Sequence, residues 1–290
     1  MSSDFESIRI LDNFYQTSSF FPMPVVLIST VSESGATNLG PYSLCFPYVI
    51  ADQGKFSMIL GSRSDSNTSM NIKRTGFCAI NFIPDDKKYL ENCVKLGFPG
   101  ETTEEKMKQS IFTLLPSMRK EKEEGVQYPE IVNEAVQVFE CTWDRSFETK
   151  LSEEGDYFVL SVDYIHLQNK YKDAIIRGMD SKSFPSLPID YGFRDNIHFW
   201  FMKSSKPYPM KMAEGKGTSW NTVWYAAKRY DPSVEWTEEA CHKLVRVPRI
   251  FLKKAIAGCV EAAKEEGIQL ITAEFMDKIQ DKRNKEKQDR

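Results

Sequence analysis

The feature that most restricts what this chain can become is a succession of short segments between Pro24 and Met202 with strand patterning. "PVVLISTV" (24–31) is a continuous apolar, β-branched run, as expected of a strand covered on both faces. "GKFSMILGS" (54–62) alternates, with Phe56, Met58 and Leu60 on one face. "GFCAINFI" (76–83), "AVQVFECTWD" (135–144) and "DYFVLSVDYIHLQ" (156–168) keep a period of two, and "NIHFWFM" (196–202) is a sixth candidate. Two short helices interrupt them. "SNTSMNIKR" has Ser66 or Asn67 as its N-cap, and "DDKKYLENCVKL" has Asp85 and Asp86 at its N-terminus. Many strands with few helices predict a mainly β fold with helical insertions, in the form of a closed barrel.

Residues 203–235 change character. "KSSKPYPMKMAEGKGTSWN" is rich in Lys, Ser, Pro and Gly and reads as a linker. The cluster Trp220, Trp224 and Tyr225 is expected to anchor it against the barrel or to cover a ligand there. From 236 to 290 the period becomes helical. Thr237 caps one helix, Pro248 opens a second that ends at Gly267, and Thr272 caps a third. The domains expected are therefore 1–202, a linker over 203–235, and an all-α module over 236–290. The run "MRKEKEEG" (118–125) is expected to be a solvated helix end.

Bulk properties exclude several function classes. Net charge is −3, which gives no electrostatic footprint for nucleic acid. No apolar run approaches the ~20 residues of a membrane span. The first residues, "MSSDFESIRILDNFYQ", carry acids early and lack the apolar centre of a secretory leader. Six scattered cysteines without a CxxC pair fit reduced thiols, so the expected location is cytoplasmic. Three histidines, His166, His198 and His242, lie far apart in sequence, and no metal site is expected.

The stretch "TNLGPYSLCF" (37–46) follows the first strand and is too long for a simple turn. It reads as a loop built to hold something. A second stretch, "GSRSDSNTSMNI" (61–72), sets Ser62, Arg63, Ser64, Ser66, Asn67 and Thr68 between a strand end and a helix start. A helix N-terminus flanked by hydroxyls and one Arg suits a phosphate, although a capped turn facing water has the same composition.

Together these motifs resemble the flavin reductase-like family, which has the FMN-binding split-barrel fold. The residues that carry the resemblance are Asn38-Leu39-Gly40-Pro41-Tyr42-Ser43, then Asp65 to Ile72, then Gly76-Phe77 and Asn81, and the strand "YPEIVNEAVQVFECTWD". It covers roughly residues 20–202. It implies FMN as cofactor, with the isoalloxazine ring wrapped by Asn38, Gly40, Pro41, Tyr42, Ser43 and Leu44. Small residues at Gly40 and Ser43 would permit close backbone approach, and Tyr42 would pack near the ring or in the core. Ser62, Arg63, Ser64, Asn67 and Thr68 would hold the phosphate. Cys45 is expected to be packing, and Asn81 to tie backbone together. The flavin carries the chemistry, so no acid–base triad is required.

One departure concerns the electron donor. Some family members carry Gly-Asp-His before the last long strand, where this chain has Gly155-Asp156-Tyr157. The donor is NADH or NADPH if the chain is a flavin reductase. In the flavoredoxin-like alternative, electrons pass to a redox protein partner. A third reading is a non-catalytic FMN-binding protein that docks a partner through its tail. The resemblance also implies a homodimer. The tail resembles the small C-terminal domain of the light-independent protochlorophyllide reductase B subunit, through Trp236, Thr237, Glu239, Ala240, Leu244, Val247, Pro248, Glu261, Ala263, Gly267, Ile271, Thr272 and Glu274. Leu, Val and Ala at these spacings also suit a helical interaction module without pigment chemistry.

Overall fold

The computed structural model describes residues 5–288 apart from 53–54, 99, 148–154, 178–183, 194, 196, 204, 209 and 211–218. The chain separates into two compact units, Met1–Pro209 and Met210–Arg290.

The first unit is built on one antiparallel sheet of seven strands. These are β1 (Val26–Val31), β2 (Thr37–Tyr42), β3 (Cys45–Asp52), β4 (Lys55–Arg63), β5 (Phe77–Phe82), β6 (Gln137–Trp143) and β7 (Gly155–Leu167). Their order is β2-β1-β5-β6-β7-β4-β3. The stretch read from sequence as a ligand-holding loop is therefore strand, turn and strand. Residues 37–42 pair along the whole of β1, from Val31↔Thr37 to Val26↔Tyr42.

The same stretch explains why the sheet curls. β2 and β3 lie at opposite ends of the hydrogen-bonded order, yet only Ser43 and Leu44 separate them. Three Cα steps span roughly 11 Å at most, so the two edges must come together at this corner. A closed barrel is not formed; the sheet is a curled half-barrel split along this seam.

All six residues of β1 are buried, as a strand covered on both faces requires. Val26 and Ile28 face a core with Cys45, Leu60, Cys78, Ile80 and Phe158, which Ile72 of α1 (Asn67–Thr75) completes. Leu27 faces a second core with Leu39, Ala79, Ile83 and Val138, covered by Leu90, Cys93 and Leu96 of α2 (Lys87–Leu96). Asn81 is fully buried and bonds the Leu27 and Ala79 carbonyls, the Ser29 hydroxyl and the Val132 amide, the backbone-tying role expected of it. The expected sixth strand is only Phe199–Phe201, in a small side sheet with Ile189–Phe193 and Met23–Pro24.

The run at 118–125 is not a helix end. It is an irregular strap pinned by Arg119, which is buried against Glu140 and Asp163 at 3.5 and 2.8 Å. Its guanidinium also lies over the rings of Phe77, Tyr128 and Tyr164.

The second unit is a helical bundle. The stretch expected as a linker contains α4 (Trp220–Tyr230), capped by Ser219. Val223 and Ala227 of α4 are buried in one core with residues of α5 (Glu238–Leu244), α6 (Arg249–Glu265) and α7 (Ala273–Gln288). Trp220 and Trp224 stack at 5.3 Å and pack on that core. The module is also not purely helical, since Glu235–Trp236 and Leu270–Ile271 pair in parallel. Thr237 and Thr272 cap as expected. Gly267 adopts φ 69 just past the end of α6. No helix among the described residues is long and apolar enough to cross a membrane.

Candidate functional site

The seam corner is also where the motif residues collect. β4 ends at Arg63, and Ser64 and Asp65 turn the chain into α1. The Ser66 hydroxyl accepts from the Ser69 amide at 3.1 Å and fixes the start of the helix. The Asn67 and Thr68 amides have no hydrogen-bond partner among the described residues. Gly40, Pro41 and Tyr42 of β2 lie beside them. A Cβ on Gly40 would stand 2.6 Å from Thr68 Oγ1 and 2.8 Å from Tyr42 Cε2. The close approach that glycine permits here is therefore that of α1 to the sheet.

Two cavities meet at this corner. One, of about 620 Å³, is lined by Gly40, Asn67, Thr68, Glu101, Thr102 and Lys106 among others. The second, of about 440 Å³, is walled by Val25, Phe98, Phe193, Phe199 and Phe201. They share Pro41, Tyr42, Arg63, Gly97 and Phe98, so they adjoin along one wall and make a groove region with a polar end and an aromatic end.

Of the residues expected at the site, Gly40, Pro41, Tyr42, Arg63, Asn67 and Thr68 line the polar end, and Ser43 lines the aromatic end. The other four do not line either. Asn38 is fully buried beneath Thr68; its Nδ2 donates to Thr68 Oγ1 at 3.4 Å and Thr30 Oγ1 at 3.5 Å. Its Oδ1 has no hydrogen-bond partner among the described residues. Ser62 is buried and joined to Tyr42 Oη and Ser66 Oγ, both at 2.8 Å. Leu44 sits against Gly61, whose amide donates to the Leu44 carbonyl at 2.8 Å. Ser64 is half-buried in the turn.

Charge at the polar end is arranged as follows. Arg63 is exposed and holds Asp65 in a fork, with Nη2 at 3.0 Å from both carboxylate oxygens. Asn67 Nδ2 donates to the Glu101 carbonyl at 3.0 Å. The Glu101 carboxylate accepts from Gln109 Nε2 at 3.1 and 3.0 Å. Lys106, on α3 (Thr103–Met107), is only 8% exposed and has no ion-pair partner among the described residues. Burial pulls its pKa down to about 8, against an opposing pull from Glu101. Sequence reading missed Lys106 because it stands in a polar helical insertion with no motif around it.

The cysteines are packing groups. All six are free and buried. Burial raises the thiols of Cys45 and Cys141 far above the ordinary value and that of Cys93 to about 12, so these three are not ready nucleophiles. Among the described residues no cluster of three or more His, Cys, Asp or Glu could hold a metal ion. Tyr157, at the place of the family's His, is registered opposite Gly61, with its ring 3.1 Å from where a Cβ on that glycine would be.

No protein-family model matches the chain. A curated relative, an uncharacterized protein of Methanothermobacter thermautotrophicus, is 40% identical over 73 residues, 25% of this chain. That match spans about a third of the relative's length, 32%. Solved structures resemble far more of the chain. Flavoredoxin from Methanosarcina acetivorans is 19% identical with a TM-score of 0.51, over 73% of this chain and 98% of that one. Nitrilotriacetate monooxygenase component B from Bacillus cereus is 18% identical with a TM-score of 0.52, over 72% of this chain and 100% of that one. At such identities the likeness is one of fold: the chain has the split barrel of the flavin reductase type, followed by a helical C-terminal part.

Proposed function

We propose that the groove binds FMN and that the protein is a flavin-dependent oxidoreductase. The observation that carries this reading is the joined groove, with a helix N-terminus and a buried lysine at one end and aromatic walls at the other. The first-turn amides of α1, with Thr68, Asn67 and Arg63, would hold the phosphate. Pro41, Tyr42 and Ser43 would lie along the ring, with the wall formed by Phe98, Phe193 and Phe199 keeping water from it. A flavin bound here supplies hydride and electron transfer, so the protein has only to bind, orient and shield it.

The donor is NADH or NADPH in the flavin reductase reading. Tyr157 in place of the family's His favours a second reading, a flavoredoxin-like carrier that exchanges electrons with a redox protein. One solved structure of similar fold is named a flavoredoxin. A homodimer, as the family resemblance implies, would give a flat ring more cover than one shallow groove provides. For the C-terminal unit we infer a partner-docking role without pigment chemistry. Trp236, Ala240, Leu244, Ala263 and Ile271, which carry its resemblance to the reductase subunit, are all core residues.

The test is the absorbance spectrum of the protein reconstituted with FMN, followed by anaerobic addition of NADH or NADPH. Flavin bands that bleach establish cofactor and donor together. Bands that persist with both nicotinamides but bleach with a chemical reductant favour the electron carrier. Failure to retain FMN overturns the flavin reading.

A further inference from the structure

The second unit holds a trough of about 610 Å³ whose lining residues all belong to α4 and α6. Leu252 and Ile256 line it from within the core of the unit and make an apolar floor. Tyr225 and Tyr230 line it and are exposed, so they stand at its rim. Arg249 and Lys253, one turn apart on α6, also line it and are exposed. Neither of these two side chains has an ion-pair partner among the described residues. α4 carries no acid, and α6 carries none before Glu261. Asp231, the acid that follows α4, is held by Lys264 at 2.5 Å and by the Ser233 hydroxyl.

Helix electrostatics do not account for Arg249. It is the first residue of α6, where the aligned peptide dipoles favour an acid, and Pro248 supplies no side-chain cap. Lys228 and Arg229 differ. They lie in the last turn of α4, where cations are stabilised, and each sits over a ring, Trp224 and Tyr225. An apolar floor, an aromatic rim and two unspent cations at a positive helix end therefore share one space. From Arg249 to Ile256 the trough follows about two turns of α6, roughly 11 Å. That suits a helix laid between α4 and α6, with apolar side chains on the floor and carboxylates on the two cations. Two free cations neutralise too few phosphates to hold a nucleic acid against salt.

We propose that this trough is the docking site for an acidic amphipathic helix of a partner protein, with Arg249 and Lys253 pairing its carboxylates. It deepens the docking role of the C-terminal unit and rests on that reading. The test uses the whole chain and a labelled helical peptide of about four turns, with a leucine stripe flanked by glutamates and a central benzophenone. Its glutamine and lysine counterparts are the controls. The acidic peptide should bind in fluorescence anisotropy, weaken at high salt and crosslink to α4 or α6. Arg249→Glu with Lys253→Glu should weaken it by about tenfold or more and create binding of the lysine peptide, a gain that an unfolded variant cannot show. Acidic and lysine peptides bound equally by the wild type, or binding unchanged by the double reversal, would overturn the inference. So would an RNA oligonucleotide that binds more tightly and is lost in the same variant, or a dimer of the chain that dissociates in it. Crosslinks within residues 210–290 but outside the trough would sink the trough and leave the docking role standing. No peptide binding, or crosslinks confined to residues before 210, would sink both.

Discussion

Arg63 and Lys106 are two cations of the same groove in opposite states. Arg63 is exposed and already paired with Asp65, so it must leave that fork to meet a phosphate. We expect Arg63→Ala to weaken FMN more than riboflavin, near the lower end of the about 1.5–3 kcal/mol of a charged hydrogen bond. Asp65→Asn, which frees the guanidinium and removes a negative charge, should strengthen FMN and leave riboflavin unchanged; equilibrium titration of both ligands checks both signs. Lys106 makes itself felt without any ligand. Its folded pKa lies below its ordinary value, so between about pH 8 and 10.5 the unfolded chain binds more protons and stability rises with pH. The charged lysine destabilises the free protein below that window by about 3 kcal/mol, at about 1.4 kcal/mol per pKa unit. Lys106→Met should therefore raise the melting temperature of the flavin-free protein at pH 7 and remove the rise across that window. A thermal scan at several pH values decides it.

Single elements are set by contacts that join distant parts of the chain. α1 stands on β2 because Gly40 leaves room for Thr68. Gly40→Ala should push the first turn outward at a cost of about 1–3 kcal/mol, lowering both apo stability and phosphate affinity. Thr68→Ala removes the atom that a new Cβ meets first. The double variant should thus be less destabilised than the sum of the singles, by about 1 kcal/mol; additive losses in denaturant titrations would show that Tyr42, not Thr68, sets the limit. α1 is also tied to β7, where Asp156 accepts from Ser69 Oγ and pairs with Lys73 at 2.5 Å. The strap at 118–125 depends on Arg119 in the same way. Glu140 is 1% exposed and also accepts from Ser117, the Met118 amide and His166. Arg119→Met should cost about 3–5 kcal/mol by leaving that carboxylate uncompensated. Adding Glu140→Gln should restore part of the loss in the same assay.

Across the whole molecule, the boundary matters for any attempt to separate the units. A chain ending near residue 233 would keep α4 without its partners and expose Val223, Ala227, Trp220 and Trp224, which belong to the second core. A chain ending at 209 cuts between the units. We expect the shorter fragment to stay monodisperse and to retain FMN, and the longer one to aggregate; light scattering and flavin absorbance on the two fragments check this. Sequence by itself located the strands at 26–31, 55–63, 77–82, 137–143 and 155–167, the caps Thr237 and Thr272, and the covering of β1 on both faces, because period and capping chemistry are local; it left Ser66 and Asn67 as alternative caps of α1, and the structure chose Ser66. It also read residues 37–46 and 61–72 as parts of one candidate ligand site. Only tertiary structure decided that 37–42 is an edge strand and not a loop, because strand pairing is made with β1 and a Pro-Gly composition hides it. The placement of α4 in the helical core and the burial of Arg119 and Lys106 were likewise set by contacts between segments far apart in the chain. Burial of a lone Lys or Arg leaves no local pattern, since its side chain reads as solvent-facing until an opposing wall desolvates it.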